Sequence, residues 1–116
     1  QPRPRRNRHL AGALFESLAA QSVRVYAEAA GARVGHLRTK NTDHEIDLIV
    51  EADDRSTVAI EVKLSDTIRP ADIEHLNWLG QQLGDRLVER IIIYTGKLAY
   101  RRPDGIAVVP LALLGP

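Results

Sequence analysis

Two alternating stretches joined by a short polar break constrain this chain more than any other feature. His44-Glu45-Ile46-Asp47-Leu48-Ile49-Val50-Glu51 and Val58-Ala59-Ile60-Glu61-Val62-Lys63 both carry the period-two pattern of half-buried strands. Regular alternation points Ile46, Leu48 and Val50 one way, and Asp47, Ile49 and Glu51 the other. On the second stretch Val58, Ile60 and Val62 share a face, leaving Ala59, Glu61 and Lys63 opposite. The break Ala52-Asp53-Asp54-Arg55-Ser56 is rich in turn formers and short enough for a hairpin.

A three-residue loop at Asp53, Asp54 and Arg55 sets Ala52 against Ser56 and Asp47 directly across from Glu61. Opposed residues on one face hold their Cβ atoms roughly 4.5–5.5 Å apart. Two carboxylates that close repel unless a cation sits between them, and an oxygen-only pair suits magnesium or manganese. Lys63 projects from the same face about 7 Å further along the strand. A slip of one residue dismantles the constellation, because register decides which face every side chain takes.

The rest of the chain frames this hairpin. Between Leu10 and Ala30 the residues Ala11, Leu14, Phe15, Leu18, Ala19, Val23 and Ala27 recur at helical spacing, and Gly31 stops the helix. A strand follows from Arg33 to Thr39. After Lys63 a loop runs to Pro70, with Ser65 and Asp66 at the site's rim or simply in water. Ile73, Leu76, Leu79 and Leu83 then predict a second helix over 71–83, ended near Gly84. Its Trp78 is expected to anchor the helix to the sheet rather than stack on a base. Ile91-Ile92-Ile93-Tyr94 is a β-branched run suited to a strand buried on both faces. Strand, helix and strand in succession imply a right-handed crossover, with this strand parallel to the Glu61-Val62-Lys63 strand. A small hairpin is expected from Leu98–Arg101 and Ile106–Val109 around Asp104-Gly105, and the apolar tail 111–114 is expected to pack on the core.

Aromatics make up only 4% of the chain, so the core has to be aliphatic. With no cysteine, disulfides and thiolate metal sites are excluded, which fits a cytoplasmic setting. No apolar run is long enough to span a bilayer, so no membrane association is expected. The chain has no methionine, even at position 1, which leads to the expectation that it is part of something longer. Net charge is only +1, but residues 1–9 are basic and proline-broken, readable as a linker or as an arm that grips DNA. The remaining 10–116 are expected to form one domain.

Ile46-Asp47, a gap, then Glu61-Val62-Lys63 resembles the PD-(D/E)xK nuclease superfamily. Leu14-Phe15-Glu16 in the first helix, Glu45-Ile46-Asp47 after a basic strand and Gly105-Ile106-Ala107-Val108-Val109-Pro110-Leu111 near the end widen the likeness. Together they resemble the nuclease-like C-terminal domain of unknown function of bacterial and archaeal AAA-type ATPases. The resemblance implies an α/β, restriction-endonuclease-like αβββαβ core: a mixed central sheet flanked by helices, with a C-terminal β-hairpin. It implies Mg²⁺ (or Mn²⁺) held by Asp47, Glu61 and the Val62 carbonyl, with Lys63 orienting water or stabilising developing charge. Glu16 would assist the ligand shell or hold a second ion; by position alone it is a solvated helix carboxylate. Arg38 and Lys40 would meet substrate phosphates, or serve as ordinary surface charges. The implied activity is hydrolysis of DNA phosphodiesters, with DNA and an N-terminal AAA-type ATPase module as partners. The alternative is a catalytically inactive module of the same fold that binds DNA or protein for its ATPase. His44, three residues before Asp47 on a regular strand, is expected to face the other side of the sheet, and His9, His36 and His75 show no ligand spacing.

Overall fold

The structure, a computed structural model, describes residues 5–41 and 43–114. The alternating stretches form strands β2 (Glu45–Glu51) and β3 (Thr57–Lys63), paired antiparallel with Leu48 opposite Ile60 and Val50 opposite Val58. This is the register of a three-residue loop. Ala52 N–H donates to the Ser56 carbonyl and Arg55 N–H to the Ala52 carbonyl, closing the turn. Arg55 occupies the left-handed region with φ 71°, where a Cβ is strained. Arg55→Gly should therefore stabilise the fold by about 0.5–1 kcal/mol, read as a rise in the denaturant midpoint at unchanged slope.

Four further strands complete one six-stranded mixed sheet: β1 (Arg33–Arg38), β4 (Leu87–Tyr94), β5 (Tyr100–Arg101) and β6 (Ala107–Pro110), in the order β1-β2-β3-β4-β6-β5. Strand β4 runs parallel to β3, with Glu61 opposite Ile92 and Lys63 opposite Tyr94. The hairpin β5–β6 turns at Gly105 (φ 91°), and β6 adds parallel to β4. The chain is thus an α/β fold in the expected element order.

Helices α1 (Arg5–Ala29) and α2 (Pro70–Leu83) cover opposite faces of the sheet. Ile92 and Tyr94 pack with Leu76 and Leu79 of α2, whereas Ile93 packs with Phe15, Ala19 and Val23 of α1. Strand β4 is accordingly apolar on both sides. Helix α1 buries the single i+4 row Phe15, Ala19, Val23 and Ala27. Leu14 and Leu18, expected in the core, are 61% and 45% exposed, because the helix meets the sheet along a stripe narrower than its apolar face. It also begins at Arg5 rather than Leu10, so only residues 1–4 of the basic stretch lie outside the described residues. The 3-10 turn Leu111–Leu114 brings Leu111 and Leu114 onto the α1 side of the core. Among the described residues no helix is long and apolar enough to cross a membrane.

Candidate functional site

The hairpin does not alternate evenly to its end. Against β1, Gly35 faces Ile49 but Leu37 faces Ile46, so Asp47 and Leu48 of β2 together oppose the single residue His36. This is a β-bulge, a device that bends a strand and re-aims side chains. Its effect is plain in the packing. Leu48 joins the core beneath α1, whereas Ile46, two residues away, joins the core beneath α2. Even alternation would have put both on one face.

At the bulge the two strands are clasped by side chains. The backbone N–H of Asp47 donates to Glu61 Oε1 at 3.0 Å, and the N–H of Val62 donates to Asp47 Oδ2 at 2.8 Å. Each carboxylate thus takes a main-chain donor from the other's strand, which fixes the pair at one spot on the sheet. In an extended strand the carbonyl lies on the same edge as the N–H, which puts the Val62 carbonyl on the β2 edge of β3.

The electrostatics follow from that arrangement. Burial pushes the half-buried Glu61 carboxyl up to about 7. The Asp47 N–H opposes the shift, and the charges of Asp47, Glu45 and Asp72 add to it. Asp47 is raised too, first by desolvation, with the Val62 N–H pulling it down, Glu45 pushing it up and His75 pulling it down. Asp47 keeps an open side to solvent while the strands crowd its carboxylate. Both acidic groups resist ionisation chiefly because the packed strands take them out of water.

Lys63 lies two residues beyond Glu61, but its ammonium is engaged elsewhere. Nζ pairs with Asp72 Oδ1 on α2 at 2.9 Å. The other Asp72 oxygen accepts the Arg69 N–H at 2.7 Å, capping the helix behind Pro70. Sequence reasoning did not single out Asp72, although an acid at the third helical position, two residues after a helix-starting proline, is a readable capping signal.

Other expected site residues lie apart. Gly12 of α1 approaches Leu64, so the first turns of that helix reach the end of the sheet that holds the clasp. Glu16 itself is exposed and makes no hydrogen bond or ion pair with a described residue. Arg38 is exposed and pairs with Glu45 at 2.8 Å; Lys40 is exposed. The Ser65 hydroxyl bonds within its own loop to Thr67, and Asp66 is exposed.

The histidines hold the clearest departure from expectation. His44 stacks on Trp78 of α2, ring centroids 3.9 Å apart and 8° from parallel, and its Nδ1 lies 3.2 Å from Nδ1 of His75. The bulge breaks the alternation on which the expected orientation of His44 rested, and His44 turns with Ile46 toward α2. Trp78 does anchor its helix, through this stack and through the core beneath.

The donors at the clasp are two carboxylates and a carbonyl, all oxygen, which suits magnesium or manganese, ions that retain several waters. Among the described residues no group of three or more His, Cys, Asp or Glu forms a ligand set, so water would complete the shell. The pair fits such an ion in charge and donor chemistry.

A family model described as "Domain of unknown function (DUF4143)" matches residues 11–114, and the chain belongs to that family. No curated protein and no solved structure matches it.

Proposed function

We propose that this member of the family is a metal-dependent deoxyribonuclease of the PD-(D/E)xK kind, acting at the Asp47–Glu61 clasp. The observation that carries the reading is the pair of reciprocal side-chain to main-chain bonds joining the two carboxylates beside Lys63. Asp47 and Glu61, with the Val62 carbonyl, would hold Mg²⁺ or Mn²⁺. When bound, the ion supplies Lewis acidity toward a phosphodiester and a water acidified toward neutral pH. The chain's own residues do the rest. Glu61 gives up the proton its raised pKa lets it keep near neutrality, and the pair becomes a dianion. Lys63 turns its ammonium to the phosphate oxygens as charge develops there. Arg38, freed from Glu45, and Lys40 lie on the strand and loop leading to β2 and would steady the nucleic-acid backbone.

A second reading takes the same fold as a binding module that no longer cuts, attached to an AAA-type ATPase in the cytoplasm. The engagement of Lys63 by Asp72 favours it, because a lysine held in an ion pair is not free to meet a phosphate. The two separate on one assay: supercoiled, linear, branched and single-stranded DNA incubated with the chain in Mg²⁺, Mn²⁺ or chelator. The enzyme reading expects ion-dependent nicking or cleavage of at least one form. Binding without cleavage of any form, in either ion, leaves the module reading.

A further inference from the structure

We infer that Asp72 is a positioning residue that draws Lys63 away from the Asp47–Glu61 pair and so keeps the pair open to a divalent cation. The inference rests on the reading of that pair as a cation seat. It begins from a competition built into the strand. Lys63 and Glu61 are two residues apart on β3 and share its face, and a lysine stem is long and flexible enough to swing back across such a gap. The clasp carries two carboxylates whose partners are main-chain N–H groups rather than cations. Left to itself, the ammonium would fall onto them, and the site would be filled by its own lysine.

Asp72 is built to prevent this. Its side chain is only 11% exposed, against 38% for Lys63, so the acid is the fixed member of the ion pair and the lysine the mobile one. One oxygen is pinned by the Arg69 N–H at 2.7 Å, which leaves the other aimed at Nζ, 2.9 Å away. The first turn of α2 adds the favourable end of the helix dipole. Burial works against the Asp72 charge, but the Arg69 N–H, the bond from Lys63 and the charges of Lys63 and Arg69 outweigh it. They hold its pKa below the ordinary carboxylate range. Asp72 is therefore ionised wherever the clasp can be, and its pull on Lys63 operates throughout the pH range in which a cation binds.

The test is Mn²⁺ affinity at pH 8, measured by calorimetry on the whole chain, for wild type, Asp72→Asn and the double variant Asp72→Asn/Lys63→Met. Asparagine keeps the acceptor for the Arg69 N–H and removes only the charge. Asp72→Asn should weaken binding about five- to tenfold, the equivalent of one ion pair released onto a half-buried site. Removing the lysine as well should restore affinity to the wild-type level, a rescue that no loss of helix capping would produce. If Asp72→Asn binds as wild type does, or if both variants are equally weak because Asp72 is itself a ligand, the inference is overturned and the cation seat stands. If the wild-type chain binds no Mn²⁺, both fall. Should Asp72→Asn fail to fold, Asp72→Ser, which also retains an acceptor, carries the same pair of expectations.

Discussion

In the absence of divalent cations, Glu61→Gln should make the fold more stable at pH 8, by up to about 3 kcal/mol. The size follows from the shift of Glu61 from 4.5 to about 7 on folding. A carboxyl whose pKa rises on folding contributes stability that is complete below its unfolded value and is lost as pH rises through its folded one. Wild-type stability should therefore fall between about pH 4.5 and pH 7, and then level off. Asp47 is shifted the same way and adds to the trend. Glutamine keeps an oxygen for the Asp47 N–H and never ionises, so the variant should lose most of that slope and keep only the part due to Asp47. Denaturant unfolding at pH 5, 7 and 8 with a chelator present reads the difference. Added Mn²⁺ should then reverse the order, stabilising wild type by mass action and leaving the variant unmoved. A wild-type curve that rises across the window would show that the clasp does not resist ionisation.

Lys63→Ala is expected to have the largest effect on turnover. Losing a positive group that swings onto the charge developing on the phosphate should lower the rate by about 10²–10³. Cation affinity should hardly change, because Lys63 pairs with Asp72 rather than with Asp47 or Glu61. The split between rate and affinity separates a group acting on the phosphate from one that merely balances charge at the clasp. Equal cleavage by wild type and variant would remove Lys63 from the chemistry.

Much of this arrangement is legible in the residues alone, for reasons that can be named. A break of the right length and turn chemistry leaves few ways to close a hairpin. That is why Leu48 opposite Ile60 follows from Asp53, Asp54 and Arg55 as the loop. The run Ile91–Tyr94 is too apolar to belong anywhere except between two covered faces. The bulge is different in kind. It depends on how β1 pairs with β2, a contact between strands whose registers no local pattern specifies, so Ile46 and Leu48 look equivalent until the sheet is built. His44 is misplaced by the same step, and its neighbours His75 and Trp78 are more than thirty residues distant in sequence. Asp72 went unread because it is a capping residue first, and its second oxygen matters only when α2 is laid over β3. In α1 the apolar positions Leu14 and Leu18 were visible, but which rows of a helix touch the sheet is a property of the packing.

If Asp47 and Glu61 together seat one hard dication, as proposed, Mn²⁺ titrated into wild type, Asp47→Asn and Glu61→Gln will show it. The titrations are run at pH 7 and pH 8 in two buffers of different ionisation heat. One ion should bind per wild-type chain, more tightly at pH 8, with about half a proton released at pH 7 as Glu61 gives up its share. Either substitution should abolish binding in the accessible range. Binding that survives both substitutions, or that shows no proton release and no dependence on pH, would contradict that proposal.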